Sequence, residues 1–196
     1  MLEIFKQAQI EDDEVTNQKF SDEEVVLEFP RITISKCQFK NCKCMNSKLN
    51  YAFISDVEFE NCDFSNSDFT DASLTDVVFK DCKFVGCKFI NTSQRRVRIE
   101  SSNFSYSNYD GSNLKKIDFK DVKLDNFVLS MCKLEKVTFN DSQLNRATLV
   151  DTNLKGIDFR TCGIDGIYVK LENLKGMIVN EWQALELVKL LEIEIK

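Results

Sequence analysis

The chain has 196 residues and a formal net charge of −6 at pH 7; 43% of its residues are hydrophobic and 30% are charged. This balance is typical of a globular protein, and the length suffices for one domain with a real core. There is no His, the side chain that enzymes use most often as a general acid or base. Because no Ser or Cys has a His partner and no Gly-rich phosphate loop is present, the sequence predicts neither an enzyme nor a cofactor.

The N-terminal residues lack the basic start and apolar run of a signal peptide, and no segment approaches 18 consecutive apolar residues. We therefore expect a cytoplasmic protein that makes no contact with a membrane. Since thiols stay reduced in the cytosol, the eight Cys are expected to be free.

Residues 1–31 form an acidic segment, with nine Asp or Glu against three Lys or Arg. The segment ends in the apolar run Val25–Phe29, followed by Pro30. It lies outside the repeat described next, and we expect it to cap the first coil of that repeat. An open strand edge left uncovered there would invite aggregation.

Residues 32–179 follow a five-residue period without insertion or deletion. Every fifth residue from Ile34 to Val179 is a repeat centre, and 29 of these 30 centres are apolar, the exception being Gln94. The residue two before each centre is usually small or β-branched, and the residue two after it is Asn, Asp or Gly in 18 of 30 repeats. Neither a helix nor a flat strand keeps every fifth side chain on one face. Each pentapeptide is therefore predicted to form one short side followed by one corner, where Asn, Asp and Gly tolerate turn dihedrals.

A second period of twenty residues gives the number of sides in one coil. Large apolar centres recur at this spacing as Phe39, Phe59, Phe79, Ile99, Phe119, Phe139 and Phe159. A twenty-residue recurrence in a five-residue repeat means four sides per coil. We therefore predict an all-β, four-sided coil whose stacked Phe and Leu side chains fill the interior and leave no lumen for a ligand.

The cysteines follow the same repeat. Seven of the eight lie two residues before a centre, and Cys44 occupies a centre. Neighbours in one inward column, such as Cys42, Cys62 and Cys82, point the same way and do not converge as a tetrahedral zinc site requires. The cysteines are therefore interpreted as core residues, and no metal site is predicted.

Charged residues occupy the outward positions in mixed columns. Arg95, Arg96 and Arg98 surround Gln94, and a basic side continues through Lys115, Lys116, Lys133, Lys136, Lys155 and Lys175. One interpretation is a solvated face, and the alternative is a surface for an acidic partner or nucleic acid. No aromatic side chains suitable for stacking accompany these cations, so direct binding of nucleic acid is not expected.

Residues 180–196 are predicted to form a C-terminal helix and tail. Asn180 is a suitable N-cap, and Gln183 lies three residues later, as in a capping box. An apolar face consists of Trp182, Leu185, Val188 and Leu191, with Ile193 following in the tail. The helix either plugs the last coil or, since this apolar surface exceeds what a plug needs, forms the interface of a homodimer.

The repeat, a small residue, any residue, then Leu or Phe, resembles that of the pentapeptide-repeat family over residues 32–179. This resemblance implies a right-handed quadrilateral β-helix with a short C-terminal helix. The segments Leu174–Met177, Trp182–Leu187 and Phe20–Glu23, together with Leu190, Leu191 and Ile193, further resemble the Qnr-type quinolone-resistance proteins. That resemblance implies a cytosolic dimer joined through its C-terminal ends. It also implies a DNA mimic that binds DNA gyrase or topoisomerase IV and protects them from fluoroquinolones.

Mimicry of DNA requires carboxylates arranged along the rod. The candidate partner-binding residues are Glu58, Glu60, Asp81, Asp118, Asp121, Asp141 and Asp158. Residues 32–179 nevertheless contain 19 acidic and 21 basic residues, so the repeat itself is not acidic overall. The alternative function is therefore a generic pentapeptide-repeat scaffold that binds a different, unidentified partner and has no effect on gyrase.

Overall fold

The computed structural model describes residues 1–191 and consists mainly of one nine-stranded parallel sheet wound into a coil. Helix α1 spans Leu2–Glu11 and helix α2 spans Glu181–Val188, with short 3₁₀ helices at Leu171–Leu174 and Lys189–Leu191. The strands are β1 Glu14–Thr16, β2 Lys19–Ser21, β3 Thr33–Ser35, β4 Gln38–Lys40, β5 Phe53–Glu60, β6 Ser73–Lys80, β7 Ser93–Glu100, β8 Asn113–Lys120 and β9 Lys133–Asn140.

The strands stack in register at the predicted twenty-residue spacing. Phe59 of β5 pairs with Phe79 of β6, which pairs with Ile99 of β7, and the ladder continues into β8 and β9. The strands form two sides of the coil, and single parallel bridges such as Lys43 to Asp63 form the other two. The seven strand levels make six turns, and bridges carry the coil on to Ile178. The predicted four-sided β-helix with a short C-terminal helix is confirmed.

Corners lie where the sequence places them. Every fifth residue from Arg31 to Gly156 has a positive φ, and each lies two residues after a repeat centre or after Phe29. Asn, Asp and Gly adopt this left-handed conformation readily, whereas Tyr106 or Met131 adopts it at a cost of about 1–2 kcal/mol. The regularity of the coil therefore holds the other residue types in the same turn.

The interior is a continuous stack of aromatic and aliphatic side chains. Phe84 stacks on Phe64 and Phe104 of the neighbouring levels, with ring centroids 5.4 and 4.8 Å away. Gln94 also points inward and is buried, and its Nε2 donates to Thr92 Oγ1 at 3.3 Å. The Tyr109 hydroxyl and Gln94 Oε1 are buried and have no hydrogen-bond partner in the described part of the chain. Gln94 therefore places a polar side chain among the repeat centres, the other 29 of which are apolar.

Small polar residues two before a centre complete the hydrogen bonding between levels. Ser112 Oγ donates to the Phe89 carbonyl at 2.6 Å and lies 2.9 Å from the Thr92 amide nitrogen, which donates to it. Cys132 in the same column donates its thiol to the Tyr109 carbonyl. Ser, Thr and Cys therefore satisfy buried backbone groups that an apolar side chain of the same size leaves unpaired.

The coil begins earlier than the predicted boundary at residue 32. β1 and β2 pair with β3 and β4 and form a first level from residues of the predicted cap, with Val15 and Phe20 buried. In the bridges to the next level, Glu24 pairs with Lys43, 19 residues later, whereas Glu28 pairs with Lys48, 20 residues later. The repeat between these two bridges is therefore one residue short. The cap proper is α1, whose Phe5 packs against Phe20.

Helix α2 covers the other end of the coil. Its start has the predicted capping box, in which the Gln183 amide donates to Asn180 Oδ1 and the Asn180 amide donates to Gln183 Oε1. The Gln183 Nε2 also donates to the carbonyls of Phe159 and Cys162, at 2.7 Å each. Leu187 packs against the core one helical turn later. The plug is therefore made by Gln183 and Leu187.

Candidate binding surfaces of the rod

The coil presents four faces, which we number in chain order from β5. Face 1 contains the columns through Phe53 and Ser55, and face 2 contains those through Glu58 and Glu60. Faces 3 and 4 contain the bridge columns through Asp63 and Asp68. Outward side chains on each face recur at successive levels about 4.8 Å apart. Each face is therefore a flat, periodic array of side chains.

All seven carboxylates predicted to bind a partner lie on one side of the rod. Glu58, Glu60, Asp118 and Asp158 lie in the outward columns of face 2. Asp81, Asp121 and Asp141 have positive φ and form the corner column between faces 2 and 3. The fold thus brings together residues that are up to 100 positions apart in the sequence.

Several of these carboxylates are already paired. Glu60 forms an ion pair with Lys40 at 3.0 Å, and Arg160 hydrogen-bonds Asp158 and lowers the pKa of its carboxyl. Asp118 accepts a hydrogen bond from Thr138 Oγ1 at 2.6 Å. Within residues 1–191, Glu58, Asp81 and Asp141 have no ion pair, and Asp121 only accepts a hydrogen bond from Ser101. Glu58 and the corner column therefore have no ion pair and at most one side-chain hydrogen bond within these residues. We call the corner column, Asp81, Asp121 and Asp141, the acidic corner.

The basic residues occupy a neighbouring side of the rod. Arg95, Lys115 and Lys133 lie on face 1, Arg98 lies on face 2, and Arg96, Lys116 and Lys136 form the corner between these faces. Arg96 pairs with Asp76 and lowers the pKa of that carboxyl, and Lys115 pairs with Glu135 at 2.8 Å with the same effect. From Arg96 onward, basic residues thus occupy the edge of face 2 next to face 1, and the carboxylates of the corner column occupy its other edge.

The C-terminal end of the rod exposes apolar side chains. Trp182 is 79% exposed, Leu185 and Leu191 are also exposed, and Val188 is half-buried. Ile193, the fifth residue predicted for the dimer interface, lies outside the described residues. Since Gln183 and Leu187 make the plug, the predicted apolar face is turned away from the coil. The helix therefore both covers the last coil and presents an uncovered apolar surface.

The thiols are built into the core. All eight Cys are free and buried, and burial raises the pKa of Cys87 and of Cys132 to about 12. Thiols with such a high pKa stay protonated at neutral pH and are poor nucleophiles. Among residues 1–191, no three His, Cys, Asp or Glu side chains are grouped so that they could hold a metal ion. In the same range, no helix has the length and apolar character needed to cross a membrane.

One surface residue was not identified from the sequence. Phe53 occupies an outward position of face 1 and is 58% exposed, whereas the other fifteen Phe are buried. The five-residue period would have been sufficient to predict its exposure, because Phe53 is one residue before the centre Ile54 and therefore outside the inward columns.

This architecture defines the class of the protein: a four-sided parallel β-solenoid built from five-residue sides. The family model for a pentapeptide repeat region matches residues 19–89, 52–129 and 95–169. The chain therefore belongs to the pentapeptide-repeat family. None of the curated proteins matches its sequence.

Solved structures with this fold include several pentapeptide-repeat proteins. A trypsin-treated variant of QnrB1, a plasmid-mediated fluoroquinolone resistance protein, is 20% identical with a TM-score of 0.33, covering 92% of this chain and 98% of that one. HetL, involved in heterocyst differentiation regulation in the cyanobacterium Nostoc sp. strain PCC 7120, is 12% identical with a TM-score of 0.45, covering 90% and 96%. Rfr23 from the cyanobacterium Cyanothece 51142 is 13% identical with a TM-score of 0.26, covering 92% and 99%.

Proposed function

We propose that the protein is a non-enzymatic, cytoplasmic, protein-binding rod. The observation that carries this proposal is that the inward and the outward columns of side chains have different roles. The inward side chains fill the coil, and the outward ones form flat arrays in which the seven carboxylates predicted to bind a partner share one side. Binding through such surfaces requires neither a cofactor nor a catalytic group.

The particular partner that we propose is a type II topoisomerase, DNA gyrase or topoisomerase IV, bound by mimicry of DNA. The acidic corner supports this choice, because Asp81, Asp121 and Asp141 lie in one column along the rod and present carboxylates in a row, as a duplex presents phosphates. The Qnr-type segments of the sequence support it as well. In this role the protein shields the enzyme from fluoroquinolones.

A gyrase supercoiling assay with ciprofloxacin tests this proposal. We expect micromolar protein to restore supercoiling, and the double variant Asp121→Asn/Asp141→Asn to restore it much less. Asn occupies the same column at Asn41 and Asn61, so the fold should tolerate the change. The matched control, Asp63→Asn/Asp68→Asn, removes two carboxylates from faces 3 and 4, where Asn103 and Asn108 already occur. A wild-type protein that gives no relief contradicts the topoisomerase proposal.

The second candidate is a scaffold that binds a different protein and leaves gyrase unaffected. It is favoured by the mixed charge of face 2, where Lys80 and Lys120 lie beside the acidic corner. The same assay separates the candidates, because a scaffold of this kind binds its partner without restoring supercoiling.

We also propose that two rods join at their C-terminal ends. Trp182, Leu185 and Leu191 form an exposed apolar surface at the end of the coil, and a second copy would cover it. Burial of such side chains between two copies stabilises an end-to-end homodimer. The acidic corner stays free in this arrangement because it runs along the side of each rod.

A further inference from the structure

Face 1 carries an exposed aromatic cluster at its N-terminal levels. Phe53 is 58% exposed, and Tyr51, at the adjoining corner, is 49% exposed. The guanidinium carbon of Arg31 lies 5.6 Å from the centroid of the Tyr51 ring. Aromatic residues and Arg are the types enriched in the centres of protein interfaces. We call Arg31, Tyr51 and Phe53 the aromatic cluster.

The position of Phe53 is unusual within its own column. The residues in register with it are polar: Thr33, Ser73, Ser93, Asn113 and Lys133. An exposed Phe at this position adds nothing to the core, because Ile54 already supplies the inward side chain of that repeat. The aromatic side chain is therefore available to a molecule that lies on face 1.

Beyond the aromatic cluster, face 1 is first smooth and then basic. Ser55, Ser73 and Thr75 are small hydroxyl residues, and together with Ser93 they form a low surface two levels long. Arg95 follows in the column of Thr75, and Lys133 follows later in the column of Phe53. Neither has an ion pair within the described residues. The cations begin about 10 Å from Phe53, which an extended peptide spans in about three residues.

We propose that face 1 binds an acidic polypeptide segment in an extended conformation. An apolar side chain of that segment packs on Phe53 and Tyr51, its backbone crosses the hydroxyl surface, and its carboxylates pair with Arg95 and Lys133. A polypeptide fits better than single-stranded nucleic acid, because the aromatic rings are confined to one level and do not repeat as a stacking platform does. This site is separate from the acidic corner, which has the opposite charge and lies beyond face 2.

Fluorescence anisotropy with defined polymers tests the proposal. The probes are a labelled random copolymer of glutamate and tyrosine, labelled polyglutamate, and a labelled 20-nucleotide single-stranded DNA. We expect the full-length protein to bind the copolymer about tenfold more tightly than polyglutamate, a difference of about 1.4 kcal/mol that one well-packed interface aromatic can supply. Phe53→Ser should abolish that preference and leave the binding of polyglutamate unchanged.

Substitutions by a residue type that already occurs in the same column should keep the fold. They allow the cations of the site to be tested separately from Phe53. Arg95→Thr/Lys133→Asn should weaken the binding of both polypeptides, because it removes the cations that pair with their carboxylates. The fold should tolerate the change, since Thr75 and Asn113 already occupy these columns. The matched control Lys83→Asn/Lys123→Asn removes two cations from face 3, where Asn103 occurs, and should bind like the wild type.

Three results overturn the proposal: no binding of the copolymer, equal binding by the wild type and Phe53→Ser, or tighter binding of the DNA than of the copolymer. None of these results bears on the gyrase assay, whose variants change the acidic corner.

Discussion

Replacing Phe119 by Asp is expected to prevent the coils around it from folding. Phe119 is fully buried and stacks on Phe139 with the ring centroids 4.8 Å apart and the planes at 5°. The substitution removes this stacking and places a carboxylate among apolar side chains, which costs several kcal/mol. Small domains have about 5–15 kcal/mol of stability in total. Circular dichroism during thermal unfolding should therefore show a strongly lowered melting temperature or no cooperative transition.

Phe53→Asp is the matched control for this prediction. It makes the same chemical change at an outward position, where Phe53 is mostly exposed. Its melting temperature should stay within a few degrees of the wild type, because exposed substitutions change stability by about 0.5 kcal/mol or less. If Phe119→Asp melted like Phe53→Asp, the inward assignment of the repeat centres would be wrong.

Replacing Trp182 by Glu is expected to convert the proposed dimer to a monomer. Trp182 is the most exposed large apolar side chain of α2, and a carboxylate there would be buried against the partner rod. Loss of a central interface aromatic weakens association by about 2 kcal/mol or more, which is about thirtyfold in Kd. Sedimentation equilibrium should give twice the chain mass of 22.7 kDa for the wild type and the single chain mass for the variant.

Tyr106→Glu serves as the control for the dimer. Tyr106 is similarly exposed but lies at a corner in the middle of the rod, away from the C-terminal end. This variant should keep the mass of the wild type. A wild-type protein that sediments as a monomer at tens of micromolar would contradict the end-to-end dimer.

The sequence was sufficient for most of the fold because a single five-residue rule applies to almost every repeat. The five-residue rule does not hold at the start of the coil, where the repeat between Val25 and Phe29 is one residue short. Counting back by five from Phe29 reaches Glu24, Lys19 and Glu14, all charged, although Val15 and Phe20 are buried. A periodic pattern cannot identify a level that is displaced by one residue, because every side chain then falls on the wrong position.

The binding surfaces were only partly predictable. The twenty-residue spacing is sufficient to place the acidic corner in one column, but it does not tell which charges neutralise each other. Arg96 pairs with Asp76 one level before it, and Arg160 pairs with Asp158 on its own level. Side-chain rotamers decide between such partners, and the sequence does not specify them. In α2, the sequence identified the apolar residues but not that Gln183 would make the buried contacts.

Hydrogen exchange of the full chain tests most directly that one continuous β-helix carries these surfaces. In this structure the strand backbone is paired from Glu14 onward, and the bridges extend to Ile178. Mass spectrometry should therefore show protected amides throughout residues 14–178, with the strongest protection in the middle levels β6 to β8. If residues 14–31 exchanged as fast as an unstructured chain, the coil would begin only at residue 32. If residues 93–140 exchanged as fast, the continuous rod itself would be contradicted.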